Sequence, residues 1–280
     1  MSLKMYEPDE LSTIKHTIAI AAGKGGVGKS TITVNLALAL QQKGFKVGIM
    51  DTDLYGPSIR KMLREDRMPG QEGQILIPAI CQGISMISMA YFRKTDEAAA
   101  VRAPIANNII TQFIQQVKWG KLDYLLVDFP PGTGDIQLTL AQKANILGAL
   151  MVTTPQEVAV MDVRKAMNLF NQVRTPIIGI VENMSHYQHP LIDEKIYLFG
   201  KGGGNRLAVE SGLPFLGEIP IDPALCKSGD EGMSIFNKNF KSNSTEVFSG
   251  LAERVIKQVD NIQQEMKDSL TNFEITWKEF

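Results

Sequence analysis

Residues 23–31 read Gly-Lys-Gly-Gly-Val-Gly-Lys-Ser-Thr, and the residue types in that run suit the binding of a polyphosphate. Gly23, Gly25, Gly26 and Gly28 let the backbone turn tightly and approach an anion without a Cβ in the way. The N–H groups of Gly23 through Thr31 then point inward, and a helix opening at Ser30 adds the positive end of its dipole. Lys29 supplies a mobile point charge for β and γ phosphates, and the Ser30 hydroxyl is a ligand for Mg²⁺. The pattern G-x-x-x-x-G-K-[ST] has meaning only between a strand and a helix. Thr17–Ala22 before it and Ser30–Lys43 after it have those two characters. The chemistry implied is ATP binding with Mg²⁺, followed by hydrolysis.

Two further segments offer acids in the right company. Asp51-Thr52-Asp53 closes an apolar run, and Leu125-Leu126-Val127-Asp128 is an apolar run that ends in a carboxylate. Carboxylates at the C-terminal ends of parallel strands face the ligand crevice. Asp128 is placed to hold Mg²⁺ through water, because that ion keeps much of its hydration shell. The next residues, Phe129 to Asp135, contain Pro130, Pro131, Gly132 and Gly134. Such a turn suits an order–disorder response to the γ phosphate, with Asp135 expected to cap the following helix.

The elements that must position these groups follow from apolar periodicity. Thr17–Ala22, Lys46–Met50, Ile84–Met89, Tyr124–Asp128, Ala149–Thr153 and Ile177–Val181 read as strands. They are near-continuous rather than alternating, as expected of strands buried on both faces. Ser30–Lys43, Pro104–Lys118, Ile136–Asn145 and Val158–Gln172 read as helices. The alternation predicts an α/β fold with a doubly wound, mostly parallel sheet and helices on both faces. Arg64–Gly73 is expected to be a surface loop, and Thr245–Met266 a final amphipathic helix after the polar connection Asn237–Ser244. The expected organisation is an N-terminal extension (1–14), one ATPase domain (15–265) and a C-terminal tail (266–280). The tail, with Phe273, Ile275, Trp277 and Phe280, either is disordered or docks on its own domain or a partner.

Composition narrows the alternatives. Across 280 residues the net charge is -1, which gives no general field to attract nucleic acid or an anionic membrane. Cys81 and Cys226 are the two cysteines, too few for a disulfide framework and in keeping with a reducing compartment. No apolar run approaches the ~18 residues of a membrane span, and Met1–Ser12 has no signal-peptide core. A cytoplasmic protein that binds neither nucleic acid nor membrane is expected. The thirteen methionines fall mostly within apolar elements and read as core filling.

Lys24 makes the loop G-K-G-G-V-G-K-S, which resembles the deviant phosphate loop of the MinD, ParA and nitrogenase iron protein class. That resemblance implies a nucleotide-sandwich homodimer in which Lys24 acts in trans, as an arginine finger does. It also implies that Asp53 aligns the attacking water beside the γ phosphate, while Asp51 supports the magnesium environment. The phrases D-F-P-P-G-T-G-D-I-Q-L-T, D-L-Y-G-P-S, V-E-N-M-S and F-G-K-G-G-G resemble the Mrp/ApbC family of ATPases, which carry and transfer iron–sulfur clusters. The likeness runs from about Lys15 to Arg254. It implies that Asn183 bonds the adenine edge, that Pro220 and Ile221 flank the ring, and that the partner is an apo-protein or an assembly factor. Arg102 matches a family arginine.

The chain departs from that family where a C-P-x-C motif normally follows N-M-S. Here the stretch is Met184-Ser185-His186-Tyr187-Gln188-His189-Pro190-Leu191-Ile192. His189 stands at the first cysteine position and Ile192 at the second, so the usual thiolate pair for an iron–sulfur cluster is absent. His186, His189 and Cys226 are the remaining candidates for a second metal site, since imidazole and thiolate both bind zinc and iron. Loss of the pair leaves a second reading open, that of an ATP-driven switch of the MinD/ParA kind that carries no cluster.

Overall fold

All residues of Val47–Asp51 and of Gly148–Thr153 are buried, which a strand achieves only when helices cover both faces of its sheet. A computed structural model describes residues 12–54, 56–92, 103–189, 191, 194–237, 240 and 242–271. Its first half holds β1 (Ser12–Ala21), α1 (Lys29–Gln42), β2 (Val47–Asp51), α2 (Ile59–Met62), β3 (Gly70–Glu72), β4 (Ile75–Ile77), β5 (Ala79–Cys81) and β6 (Ile84–Ser88). Then come α3 (Ala103–Gln116), β7 (Gly120–Asp128), α4 (Asp135–Lys143), β8 (Gly148–Thr153), α5 (Glu157–Gln172) and β9 (Ile177–Glu182). The remainder is β10 (Tyr187–Gln188), β11 (Lys195–Ile196), α6 (Gly203–Ser211), β12 (Phe215–Glu218), α7 (Pro223–Glu231) and α8 (Ser244–Thr271).

The main sheet has eight strands in the order β12-β9-β8-β1-β7-β2-β6-β5. All neighbours are parallel except β5, which runs antiparallel along the edge of β6. One face packs Leu36 and Leu40 of α1 against Phe248 and Val255 of α8. The other packs Phe113, Leu140 and Phe170 from α3, α4 and α5. This is the expected doubly wound fold. Its consequence for function is that the C-terminal ends of β1, β2, β7, β9 and β12 open onto one edge.

Several local expectations need correction. Arg64–Gly73 is not wholly loop: Gly70–Glu72 pairs with Ile75–Ile77 in a hairpin that turns at Gly73, φ 63°. The exposed polar strand Gly-Gln-Glu has no apolar alternation to announce it. The boundaries at 14/15 and 265/266 fall inside β1 and α8, so Ser12–Ile14 belong to the sheet and the last helix runs to Thr271. Asp135 lies in the first turn of α4, whose N-cap is Gly134. Met1–Leu11, Arg102, Ile192 and most of the 266–280 tail lie outside the described residues.

Candidate nucleotide site

The glycine-rich run leaves β1 and enters α1 as its spacing requires. Gly23 is packed so closely on α5 that a Cβ there would lie 2.0 Å from the Asp162 backbone carbon. Gly26 and Gly28 have φ of 82° and 84°, a left-handed conformation that glycine adopts without strain. Helix α1 has no side-chain cap at Gly28 and no acid in its first turn. Its orphan N–H groups are therefore left for an external anion.

Lys29 is 6% exposed, with Nζ 2.8 Å from Asp128 Oδ1 and 3.9 Å from Asp53 Oδ2. The ammonium stands at ion-pair distance but makes no aligned hydrogen bond. A buried cation in that condition is poised for another acceptor. Asp128 is fully buried and well supported: Ser30 Oγ donates to its Oδ2 at 2.7 Å, and Thr33 Oγ1 donates to its Oδ1 at 2.8 Å. Thr52 donates to the Asp128 carbonyl through both its N–H and its hydroxyl, tying the end of β2 to that of β7. Asp53 accepts from the Gly56 N–H at 3.1 Å, which folds the start of the following loop around the carboxylate.

Asp51 pairs with Asp128 in register across β2 and β7 and accepts from Ser88 Oγ at 2.7 Å. Burial, and then the negative charge of Asp128, push its carboxyl up to about 7. An acid with a raised folded-state pKa binds more protons folded than unfolded between its ordinary range and that value. Stability of the nucleotide-free protein therefore falls as pH rises through this window and levels off above about 7. Asp51→Asn is expected to be more stable than the wild type at pH 8, with the gap narrowing toward pH 5. Urea titrations at the two pH values check this.

The oxygen donors fit magnesium. Ser30 Oγ, Asp128 and Asp53 are hard ligands grouped around one buried lysine, and Mg²⁺ prefers such oxygens together with water and phosphate. Ser30 and Asp53 border a cavity of about 710 Å³ lined by residues 24–31, Asp53, Gly56–Ser58, Lys61, Met62, Pro131, Gly229 and Asp230, with Asp128 buried behind Ser30. Lys24 lies on the wall of this cavity in its own chain. The loop after Asp128 is anchored by Gln137, whose Nε2 donates to the Pro131 carbonyl at 2.6 Å. Phe129 is buried against Phe170 with ring centroids 5.4 Å apart.

Asn183, Pro220 and Ile221 come together at the ends of β9 and β12. The Ser185 N–H donates to the Ile219 carbonyl, and the Ile221 N–H to the His186 carbonyl. Pro220 and Ile221 are half-exposed. Asn183 is buried, and its Nδ2 donates to the Val27 carbonyl of the phosphate loop at 2.8 Å.

The three candidates for a second metal site are placed differently within the single chain. His186 is 8% exposed, with Nδ1 2.7 Å from Ser185 Oγ and 3.5 Å from Glu218 Oε2. Burial, with Lys195 nearby, holds its pKa below the ordinary histidine range despite Glu218. His189 lies beyond β10, its Nδ1 accepting from the Leu191 N–H. Cys226 sits on α7, exposed, in a separate cavity with Met62 and Met233. Among the described residues no three His, Cys, Asp or Glu side chains are grouped to hold a metal ion. Cys81 is buried on the edge strand β5, and burial pushes its thiol up to about 12.

Gln137, Thr33 and Ser88 support the site without having been singled out by sequence. Thr33 was visible as the residue one helical turn after Lys29 on the same face; the other two carried no local signal.

Residues 13–256 match the family described as NUBPL iron-transfer P-loop NTPase. The iron-sulfur cluster carrier protein of Aquifex aeolicus is 41% identical, over 91% of this chain and 71% of that one. The cytosolic Fe-S cluster assembly factor NUBP2 of Bos taurus is 42% identical, over 90% of this chain and 96% of that one. Among solved structures, a nucleotide-binding protein from Archaeoglobus fulgidus in complex with ADP is 41% identical. Its TM-score is 0.69, covering 78% of this chain and 87% of that one. The cell division ATPase MinD of Pyrococcus furiosus, 23% identical with a TM-score of 0.62 over 87% of this chain and 99% of that one, shares the fold.

Proposed function

Because the chain belongs to the NUBPL family of iron-transfer P-loop NTPases, we propose that it is a Mg²⁺-dependent ATPase acting in iron–sulfur cluster carriage or assembly, and that it works as a nucleotide-sandwich homodimer. The observation that carries the nucleotide chemistry is Lys29, a buried ammonium held beside Asp128 with no aligned hydrogen bond of its own. The uncapped start of α1 lies next to it. A triphosphate supplies the acceptors that both lack. Ser30, Asp53 and Asp128 would hold Mg²⁺, which neutralises charge on the β and γ phosphates. Asp53 then orients the attacking water, and Lys24 reaches across the dimer to the other protomer's nucleotide. Turnover is slow until a protein partner completes the site.

An apolar rim beside the phosphate loop supports the dimer. Val158 and Met161 on α5 are 63% and 60% exposed, and Leu198 and Phe199 are 60% and 40% exposed. The α5 residues flank Asp162, on whose backbone Gly23 packs, and the adjoining Gly200 lies against Pro155. Grouped apolar exposure at that place suits an interface better than a solvated face.

The cargo is a cluster that this chain does not hold with the usual thiolate pair. Cys81 is buried, and Cys226 offers one exposed thiol per protomer. The cluster is accordingly shared with thiolates of an apo-protein or assembly factor. A cytosolic setting fits, as in the name of the bovine relative; no described helix is long and apolar enough to cross a membrane. Absence of the cysteine pair favours the second reading, an ATP-driven switch with no cluster.

Anaerobic incubation with ferrous iron and sulfide, followed by iron and sulfide analysis, separates the two readings. Cluster retained only when a thiolate-bearing carrier protein is added supports the proposal. No cluster under any nucleotide condition supports the switch. Stoichiometric cluster on the chain alone, surviving loss of His186 and His189, would assign the holding role to Cys226 or Cys81.

A further inference from the structure

The phosphate loop is gripped from outside as well as from its own turns. Asn183, 4% exposed just past β9, donates from Nδ2 to the Val27 carbonyl at 2.8 Å. Its backbone N–H donates to the Thr153 carbonyl at 2.7 Å, and Met184 after it has a left-handed φ of 53°. The residue is thus fixed through main chain and side chain. The contact is tight: a Cβ on Gly28 would lie 2.2 Å from Asn183 Nδ2. Val27 and Gly28 border the nucleotide cavity, whereas Asn183 is not on its wall.

A trans peptide points its carbonyl and its N–H in opposite directions. Holding the Val27 carbonyl toward Asn183 therefore turns the Gly28 N–H the other way, to the cavity side. We infer that Asn183 is a positioning residue for the phosphate cradle: its side-chain amide locks the Val27–Gly28 peptide so that the Gly28 N–H meets a nucleotide phosphate. This rests on the nucleotide reading above, and it adds to the base contact that the family resemblance implies a role that does not depend on the base. Val27 is 1% exposed, so without Asn183 its carbonyl becomes a buried acceptor with no donor. Such a group is costly to leave unmet. A peptide flip relieves it, and glycine at 28 permits the flip because it adopts either sign of φ. The flipped carbonyl would face the phosphates and repel them.

The test is isothermal titration of wild type, Asn183→Ala and the isosteric, donor-free Asn183→Asp at pH 8 with the Mg²⁺ complexes of ATP, GTP and ITP. The second variant covers the case in which the alanine protein folds poorly. Both are expected to bind all three nucleotides about 10- to 100-fold more weakly, by the same factor for each. Amide NMR supplies a readout that simple loosening would not give. The Gly28 N–H resonance should shift downfield when wild type takes up Mg·ADP and should fail to do so in the variants. A loss confined to ATP would overturn the inference and leave Asn183 as a base reader only; unchanged affinity for all three would also overturn it. Failure of the wild type to bind any of the three would instead sink the nucleotide reading itself.

Discussion

Lys29→Ala is expected to abolish measurable binding of Mg·ATP, weakening it by at least about 10³-fold. The side chain is buried between Asp128 at 2.8 Å and Asp53 at 3.9 Å, so it carries the positive charge at the centre of the site. A triphosphate entering the variant would meet three acids, Asp51, Asp53 and Asp128, with no cation of the chain among them. Truncating one member of a desolvated charge pair removes roughly 2–5 kcal/mol or more, which at 1.4 kcal/mol per decade reaches that loss. The fold should also suffer, because Asp128 keeps its burial and loses its ion partner, a change of roughly 3–5 kcal/mol. Asp51, whose carboxyl burial and the charge of Asp128 push up to about 7, loses its charge as pH falls, so the deficit should be largest at pH 8 and smaller at pH 6. Isothermal titration, with thermal melts at both pH values, checks the two effects together. Nucleotide binding that survives in a folded Lys29→Ala protein would remove Lys29 from the site.

Lys24→Ala should separate binding from catalysis. Lys24 borders the cavity, whereas the ammonium beside Asp53 and Asp128 is that of Lys29, so loss of Lys24 should leave Mg·ATP affinity within about threefold. Charged fingers contributed in trans are worth ~10³–10⁵ in rate in related phosphoryl-transfer enzymes, and a loss of hydrolysis of about 10³-fold is expected. Mixing gives the sharper result. A Lys24→Ala protomer paired with an Asp53→Ala protomer contains one site with an intact Asp53 and an intact Lys24 from the other chain. Activity should therefore return when two inactive proteins are combined. No recovery, or a Lys24→Ala rate equal to wild type, would contradict the in-trans role.

Much of this arrangement could be read from the chain because the residues involved obey short-range rules. The phosphate loop, Asp51-Thr52-Asp53 and Asp128 each sit at the end of a buried apolar run, and the structure brings those ends to one edge of the sheet. What escaped were elements without a local pattern. β12 is four residues of Phe-Leu-Gly-Glu between prolines, with Gly217 at φ 120°. The first half of β1 alternates exposed and half-buried positions and so falls outside a search for continuous apolar runs. α6 carries glycines at both ends and α7 runs from Asp222-Pro223 to Gly232, so both read as loop until their buried residues are seen. Asn183 was legible as a site residue through resemblance, but its bond to Val27 spans 156 positions, a separation that no local pattern encodes. The imidazoles are the opposite case. Their ligand type suggested a metal site, while folding buries His186 against Ser185 and Glu218 and leaves His189 beyond β10.

A cradle of backbone amides and Lys29 that binds a magnesium-complexed triphosphate and lets it be hydrolysed underlies each of these expectations. Titration of the purified protein with Mg·ATP, followed by phosphate release from the same sample, tests it most directly. Saturable binding that requires magnesium is expected, with slow release of phosphate that Lys24→Ala removes. Heat-stable, folded protein that takes up neither Mg·ATP nor Mg·ADP would contradict it.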